Sequence, residues 1–342
     1  MNFLKTAINA AESLPAPDAI RKLAISWLVE RQRLDLLERP EGEASIFADD
    51  MRRRVIAEHT QAANEQHYEV PPEFFRLVLG PRLKYSSCLY DGDITSLAAA
   101  EDRALTVTCE NADLRDGQDV LELGCGWGSL SLWMAARYPA SRITSVSNSH
   151  GQRQSIEAQA TALGLTNLTV ITADANSFQP EGVFDRVVSV EMFEHMANWA
   201  ALLGRVRNWL RPDGRLFLHV FSHRAQPYRF SHEDQEDWIG KYFFTGGFMP
   251  SHDLIRDFAD IFDVEQDWKW NGNHYRRTAL DWLANMDRED LAVRRIMKAT
   301  YGDDAGVWRR RWRLFFLATA GLFGHRDGQE WGVSHYRLKP VL

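Results

Sequence analysis

Two carboxylates and an imidazole crowd into one short stretch, Val190-Glu191-Met192-Phe193-Glu194-His195-Met196. It follows an apolar, β-branched run at 184–190, so the group falls at the end of a strand. Three ionisable side chains among apolar neighbours are costly to bury unless they are used or paired. General-base work, or the holding of a cation, is the chemistry that suits them. Metal binding is not expected. Glu191, Glu194 and His195 have helical spacing, but their order is neither HExxH nor HxxEH, and no cluster of partner ligands accompanies them. His219 lies near the end of another apolar strand and points to the same edge, where it is either part of this group or a core residue.

A second group of residues is suited to binding. In Asp119-Val120-Leu121-Glu122-Leu123-Gly124-Cys125-Gly126-Trp127-Gly128 an apolar strand runs into a G-x-G-x-G turn, and a helix is expected to follow over Ser129–Arg137. The glycines let the backbone approach a ligand where a Cβ would clash. The third glycine comes one residue earlier than in the dinucleotide fingerprint, and Glu122 sits inside the strand. In these respects the turn resembles the first motif of class I S-adenosylmethionine (SAM) methyltransferases. The next strand ends in Ser147-Asn148-Ser149-His150-Gly151-Gln152, without the acid that most such enzymes place there for the ribose. The third ends in Ala173-Asp174-Ala175-Asn176, where Asp174 either accepts from an adenine amino group or caps a helix.

These strand ends must share one edge of a sheet. Runs at Asp119–Leu123, Arg142–Ser147, Leu168–Thr172, Phe184–Val190 and 214–221 read as strands. Helices are expected between them at Ser129–Arg137, 150–163 and 199–210, the last stopped by Arg211-Pro212-Asp213-Gly214. Such alternation predicts an α/β fold, a doubly wound, mostly parallel sheet with right-handed crossovers and ligands beyond the carboxyl ends of the strands. Further on, 253–262 reads as helix, 264–270 as extended, 280–301 and 307–322 as helices, and 331–339 as a closing strand. Residues 1–100 read as a helical lid, with helices at 20–37, 45–65 and 73–79. The core is then 101–342, with 222–250 and 271–305 inserted as substrate caps.

At 342 residues, 45% apolar and 11% aromatic, the chain is long enough for one domain with a substantial addition. A net charge of −7 argues against nucleic acid and gives no attraction to an anionic membrane. Arg52-Arg53-Arg54, and Arg309-Arg310-Arg311 with Arg313, read as solvated helix faces or as a docking patch for an acidic surface. Three cysteines without paired spacing (Cys88, Cys109, Cys125) fit a reducing compartment. With no signal peptide or membrane-length apolar run in sight, a cytoplasmic location is expected.

Longer motifs sharpen the reading. They are His67-Tyr68-Glu69-Val70-Pro71, Lys84-Tyr85-Ser86-Ser87-Cys88-Leu89-Tyr90, the glycine turn, Glu191 to Met196, Lys241-Tyr242-Phe243-Phe244-Thr245-Gly246-Gly247, and His274-Tyr275 with Thr278 and Trp282. Together they resemble the cyclopropane-fatty-acid synthase superfamily of SAM-dependent enzymes, over roughly residues 60 to 340. The resemblance implies the class I methyltransferase fold with a seven-stranded sheet. Within the superfamily the chain looks nearer to the coclaurine N-methyltransferase-like branch than to the lipid cyclopropane synthases. Glu330-Trp331-Gly332-Val333-Ser334-His335-Tyr336 adds to that likeness.

The resemblance also implies roles. Tyr68, Tyr85 and Ser86 would close over SAM, and Gly124 and Gly126 would pack its methionine end. Ser147, Asn148 and Gln152 would serve the ribose, and Asp174 and Ala175 would flank adenine. In the N-methyltransferase branch, Glu191, Glu194 and His195 are implied for base and substrate ammonium. In the synthases, the positions of Glu194, His219 and Tyr275 hold a bicarbonate base, and a cysteine that touches the bicarbonate falls where this chain has Ser87. Bicarbonate is thus expected only if the chain is a synthase. The partner implied is a small-molecule amine, without nucleic acid or stable membrane insertion; the first sixty residues read as a homodimer contact or a lid. The alternatives are methylenation of unsaturated acyl chains in phospholipid, and SAM binding without turnover. Aromatics at 228–248 suit a cationic group by cation–π contact, or simply pack the cap.

Overall fold

The structure, a computed structural model, describes residues 17–40, 42–58, 70–230 and 238–341. Seven strands form the central sheet: β1 (Asp119–Leu123), β2 (Arg142–Ser147), β3 (Leu168–Thr172), β4 (Phe184–Val190), β5 (Leu210–His223), β8 (Phe262–Asn271) and β9 (Trp331–Pro340). Their order is β3-β2-β1-β4-β5-β9-β8. The pairings from β3 to β5 are parallel, and those of β9 with β5 and β8 are antiparallel. The chain reverses its direction of travel across the sheet between β1 and β4, which opens a crevice at their carboxyl ends. A two-stranded ribbon, β6 (Tyr228–Arg229) with β7 (Phe248–Met249), lies outside the sheet.

The helices are α1 (Asp18–Leu37), α2 (Glu43–Met51), α3 (Pro72–Val78), α4 (Leu97–Asn111), α5 (Ser129–Arg137), α6 (His150–Ala162), α7 (Trp199–Trp209), α8 (Trp238–Tyr242), α9 (Gly272–Arg288), α10 (Asp290–Tyr301) and α11 (Ala305–Phe323). Strand alternation divides the core between two faces. Val120, Val188 and Phe217 pack with Leu105 and Cys109 of α4 and Leu130 and Met134 of α5. Leu121, Val187, Leu216 and Leu218 turn the other way, toward Trp199, Leu203 and Val206 of α7. A third cluster joins Ile25 and Val29 of α1 and Phe74 and Phe75 of α3 to Trp282 of α9 and Trp312 and Phe316 of α11. Among the described residues no helix is long and apolar enough to cross a membrane.

Several boundaries differ from the expectations. The helix expected at 199–210 stops at Trp209, but the Arg211-Pro212-Asp213-Gly214 stretch that follows is no separate turn; it lies inside β5, where the register with β4 shifts between Phe184 and Arg186. The helix expected at 253–262 is a 3₁₀ turn, Leu254–Phe258, and β8 has begun by Phe262. The helix expected at 280–301 starts at Gly272 and breaks at Glu289. The one expected at 45–65 ends at Met51, and 59–65 lie outside the described residues. Arginines of both clusters are ion-paired within the fold. Arg52 meets Asp260, Arg54 meets Asp50 and Glu58, and Arg309 meets Asp290. Arg313 bridges Asp18 of α1 and Asp287 of α9.

Candidate active site

The glycine turn forms the floor of the crevice. Gly124, Gly126 and Gly128 all have positive φ (80°, 50° and 85°), a conformation in which a Cβ is strained. Their surroundings differ. A Cβ on Gly124 would lie 2.6 Å from the Met192 side chain, and one on Gly128 would lie 2.6 Å from Ile156. Among the described residues nothing stands within 4 Å of the Cβ position over Gly126. Below the turn, Glu122 accepts hydrogen bonds from the hydroxyls of Ser131 on α5 and Ser145 on β2. Burial lifts its carboxyl to about 7.

A cavity of about 220 Å³ opens above this floor. Tyr85, Ser86, Gly124, Gly126, Ser147, Asn148, Gln152, Asp174 and Ala175 all line it. Tyr68 lies outside the described residues. The Ser147 hydroxyl donates to Oε1 of Gln152 at 2.6 Å and accepts from the Ser149 N–H, while the Ser149 hydroxyl caps α6. This fixes the loop after β2 without an acid. Asp174 also uses Oδ1 to accept from the Asn176 N–H, so it caps a turn while facing the cavity.

The acidic stretch after β4 does not present its two carboxylates alike. Glu191 adopts φ +46°, and only from Phe193 does a 3₁₀ turn begin. Helical spacing therefore fails, and the two side chains diverge. Glu191 lines the cavity. Its Oε1 accepts from the Ser87 N–H at 2.9 Å and lies 3.2 Å from Nε2 of His219. Its Oε2 accepts from the Tyr275 hydroxyl at 2.7 Å. Glu194 is fully buried and does not line the cavity. It accepts from the Phe221 N–H at 2.7 Å, and its Oε2 has no hydrogen-bond partner among the described residues. His195 lines the cavity with its ring stacked on Phe244, 5.0 Å between centroids. His219 and Tyr275 thus converge on Glu191 and not on Glu194.

Charge follows from these partners. Burial pushes both glutamates up, Glu194 furthest, because it also feels the Glu191 charge. Three donors and the nearby Lys84 ammonium favour the carboxylate at Glu191, so Glu194 is the one that keeps a proton. Burial holds His219 neutral and pushes the Tyr275 phenol up, so that phenol stays a donor.

Residues outside the expected site hold this arrangement. Lys84 is buried and donates to the Ser86 hydroxyl and the Ser87 carbonyl. Glu101 of α4 accepts the N–H groups of Arg82 and Lys84. One face of α9 pins the same segment: Thr278 accepts from the Cys88 N–H, His274 Nδ1 from the Tyr90 N–H, and Asp281 from the Tyr90 hydroxyl. Burial pushes the Cys88 thiol up to about 12, so it is inert as a thiolate. The motifs contained Lys84, His274 and Thr278, but not which groups they would bind.

The open space over Gly126, with polar side chains beyond β2 and β3 and aromatic walls from Tyr85, Phe221, Phe244, Trp282 and Phe315, fits a nucleoside-bearing ligand at one end and an apolar or cationic acceptor at the other. Comparison with known proteins agrees. The family model described as mycolic acid cyclopropane synthetase matches residues 57–329. The chain is 35% identical over 294 residues to the (S)-coclaurine N-methyltransferase of Thalictrum flavum subsp. glaucum, spanning 84% of this chain and 81% of that one. It is 31% identical over 275 residues to the cyclopropane-fatty-acyl-phospholipid synthase of Escherichia coli (strain K12), spanning 80% and 67%. The crystal structure of coclaurine N-methyltransferase bound to N-methylheliamine and SAH matches with a TM-score of 0.91 at 32% identity, over 98% of this chain and 99% of that one. The chain belongs to the mycolic acid cyclopropane synthetase family, and it is a SAM-dependent methyltransferase.

Proposed function

We propose that this enzyme methylates the nitrogen of a small amine, aromatic or alkaloid-like, with Glu191 as the base. One observation carries the reading: a carboxylate of the chain itself faces the cavity, held by Ser87, His219 and Tyr275. The synthase resemblance assigns those three positions to bicarbonate. Here Glu191 supplies the carboxylate, which argues against bicarbonate chemistry and against the acyl-chain alternative. The relative cited above, 35% identical, is named for N-methylation of coclaurine.

SAM, when bound, supplies a methyl group made electrophilic by its sulfonium. An amine must lose its proton before its lone pair can attack. Oε1 of Glu191 already serves two donors and Oε2 one, so Oε2 has the lone pair left for the substrate ammonium. The carboxylate draws the ammonium in, takes the proton and leaves the nitrogen aligned; orientation of this kind supplies up to about 7–11 kcal/mol. His195 stacked on Phe244, with Tyr275 and Trp282, walls the acceptor, and each cation–π contact adds about 0.5–2 kcal/mol. Tyr85, Ser86, Gly124, Gly126, Ser147, Asn148, Gln152, Asp174 and Ala175 hold the cofactor in this reading. The helices before residue 100 and those of 271–305 act as its lid and cap.

The test is incubation with methyl-labelled SAM, once with a panel of amines and once with vesicles of unsaturated phospholipid. Label in an amine is expected. Label in lipid, unaffected by amines, sinks the proposal.

A further inference from the structure

His219 has a buried group of its own behind it. Its Nδ1 lies 2.8 Å from Nε2 of His335, and Nδ1 of His335 lies 3.0 Å from Nδ2 of Asn111. His219 and His335 are register partners on β5 and β9. Alternation along both strands turns them to the face that carries α4, whose last residue is Asn111. Both imidazoles are fully buried, and neither His335 nor Asn111 lines the cavity.

Burial keeps both rings neutral, and the Lys84 ammonium disfavours a second positive charge nearby. A neutral imidazole has one N–H and one bare nitrogen, so the row can be satisfied in only one sense at a time. A carboxylate can only accept. His219 therefore presents Nε2–H to Glu191, and its Nδ1 accepts. His335 then presents Nε2–H to that Nδ1, and its own Nδ1 accepts from the Asn111 amide. Donors and acceptors match from Asn111 through to Glu191, with every nitrogen in the row used once.

We propose that His335, oriented by Asn111, is a positioning residue that locks His219 in the Nε2–H tautomer and so keeps Glu191 a carboxylate. Without His335, His219 is free to carry its proton on Nδ1. Its bare Nε2 would then face Oε1 of Glu191, and the repulsion would be relieved by a proton on Glu191, which removes the base. The kinetic side of this inference rests on Glu191 being that base; the tautomer lock does not.

The experiment reads imidazole ¹⁵N shifts of His219 in the full chain with SAH bound, alongside steady-state kinetics. The variants are His335→Phe, His335→Gln and Asn111→Asp. Phe removes the donor in an aromatic setting, between Phe217 and Trp270. Gln keeps a donor. Asp offers only acceptors, which reverses the row from a site remote from the cavity so long as His335 stays neutral, a state that its own ¹⁵N shifts report. In the wild type His219 is expected as Nε2–H. In His335→Phe and Asn111→Asp it should shift toward Nδ1–H, with kcat lowered on the order of tenfold or more and SAM affinity within about twofold of wild type. His335→Gln should recover most of both. A folded His335→Phe or Asn111→Asp with His219 still Nε2–H and kcat unchanged overturns the proposal. A wild type that methylates no amine, with His219 passing from Nε2–H to Nδ1–H in His335→Phe, would instead overturn the function proposed above and support the lock.

Discussion

Glu191 and Glu194 stand three positions apart and do different work because of one backbone angle. At φ +46° Glu191 sits where L-residues are strained by roughly 1–3 kcal/mol, and that angle swings its carboxylate into the cavity. Spacing alone predicts a shared helix face, which is why the sequence could show the cluster but not which acid points where. Glu191→Gln should cut turnover by on the order of 10²–10⁴ while SAM binding, read by calorimetry, persists. Glu194→Gln replaces an acid already protonated, so its loss of turnover should be the smaller. A reversed ranking would show that Glu194 is the base. Bicarbonate added to Glu191→Ala should restore part of the activity if Glu191 fills the place that the synthases give to that ion. His335 was legible as a member of the closing strand at 331–339; its bonding to His219 was not, since a strand pattern gives no partner.

At the scale of elements, the parallel strands were legible because each is a short run rich in apolar and β-branched residues, bounded by turn or polar residues. Insertion of a prolyl-glycine stretch into β5 was not, because the same residues make turns and bulges. Two junctions position the site, and each gives a prediction. Glu122 ties β1 to β2 and α5, and its carboxyl rises from 4.5 to about 7 on folding. The folded chain thus keeps a proton that the unfolded chain has already released. The resulting stabilisation is complete below about pH 4.5 and is lost as pH rises through about 7. Glu122→Gln removes that dependence. Denaturant unfolding should show the variant gaining up to about 3 kcal/mol relative to wild type between pH 4.5 and 8. At the start of α9, a Cβ on Gly272 would lie 2.1 Å from the Trp331 carbonyl and 2.2 Å from that of Phe323. Neither backbone oxygen can move freely. Gly272→Ala should cost on the order of 3 kcal/mol in thermal or denaturant unfolding, and misplace Tyr275 one turn further along.

Across the whole molecule, the site is assembled from parts far apart in sequence. Ser87, Glu191, His219 and Tyr275 meet at one carboxylate, and Asn111 and His335 stand behind it. The central pairing of β5 with β9 is a long-range part of this assembly, and β9 lies between β5 and β8 in the sheet yet follows both in the chain. That order bears on how the enzyme is born. While a ribosome is still making the segment before Trp331, β5 and β8 have no strand between them, and each offers an open edge with hydrogen-bonding groups exposed to other nascent chains. Glu191 has by then already been synthesised, but His219 lacks the ring that orients it. Catalytic competence and protection from aggregation therefore arrive together in one late insertion, and cellular chaperones have the greatest reason to engage the chain just before it.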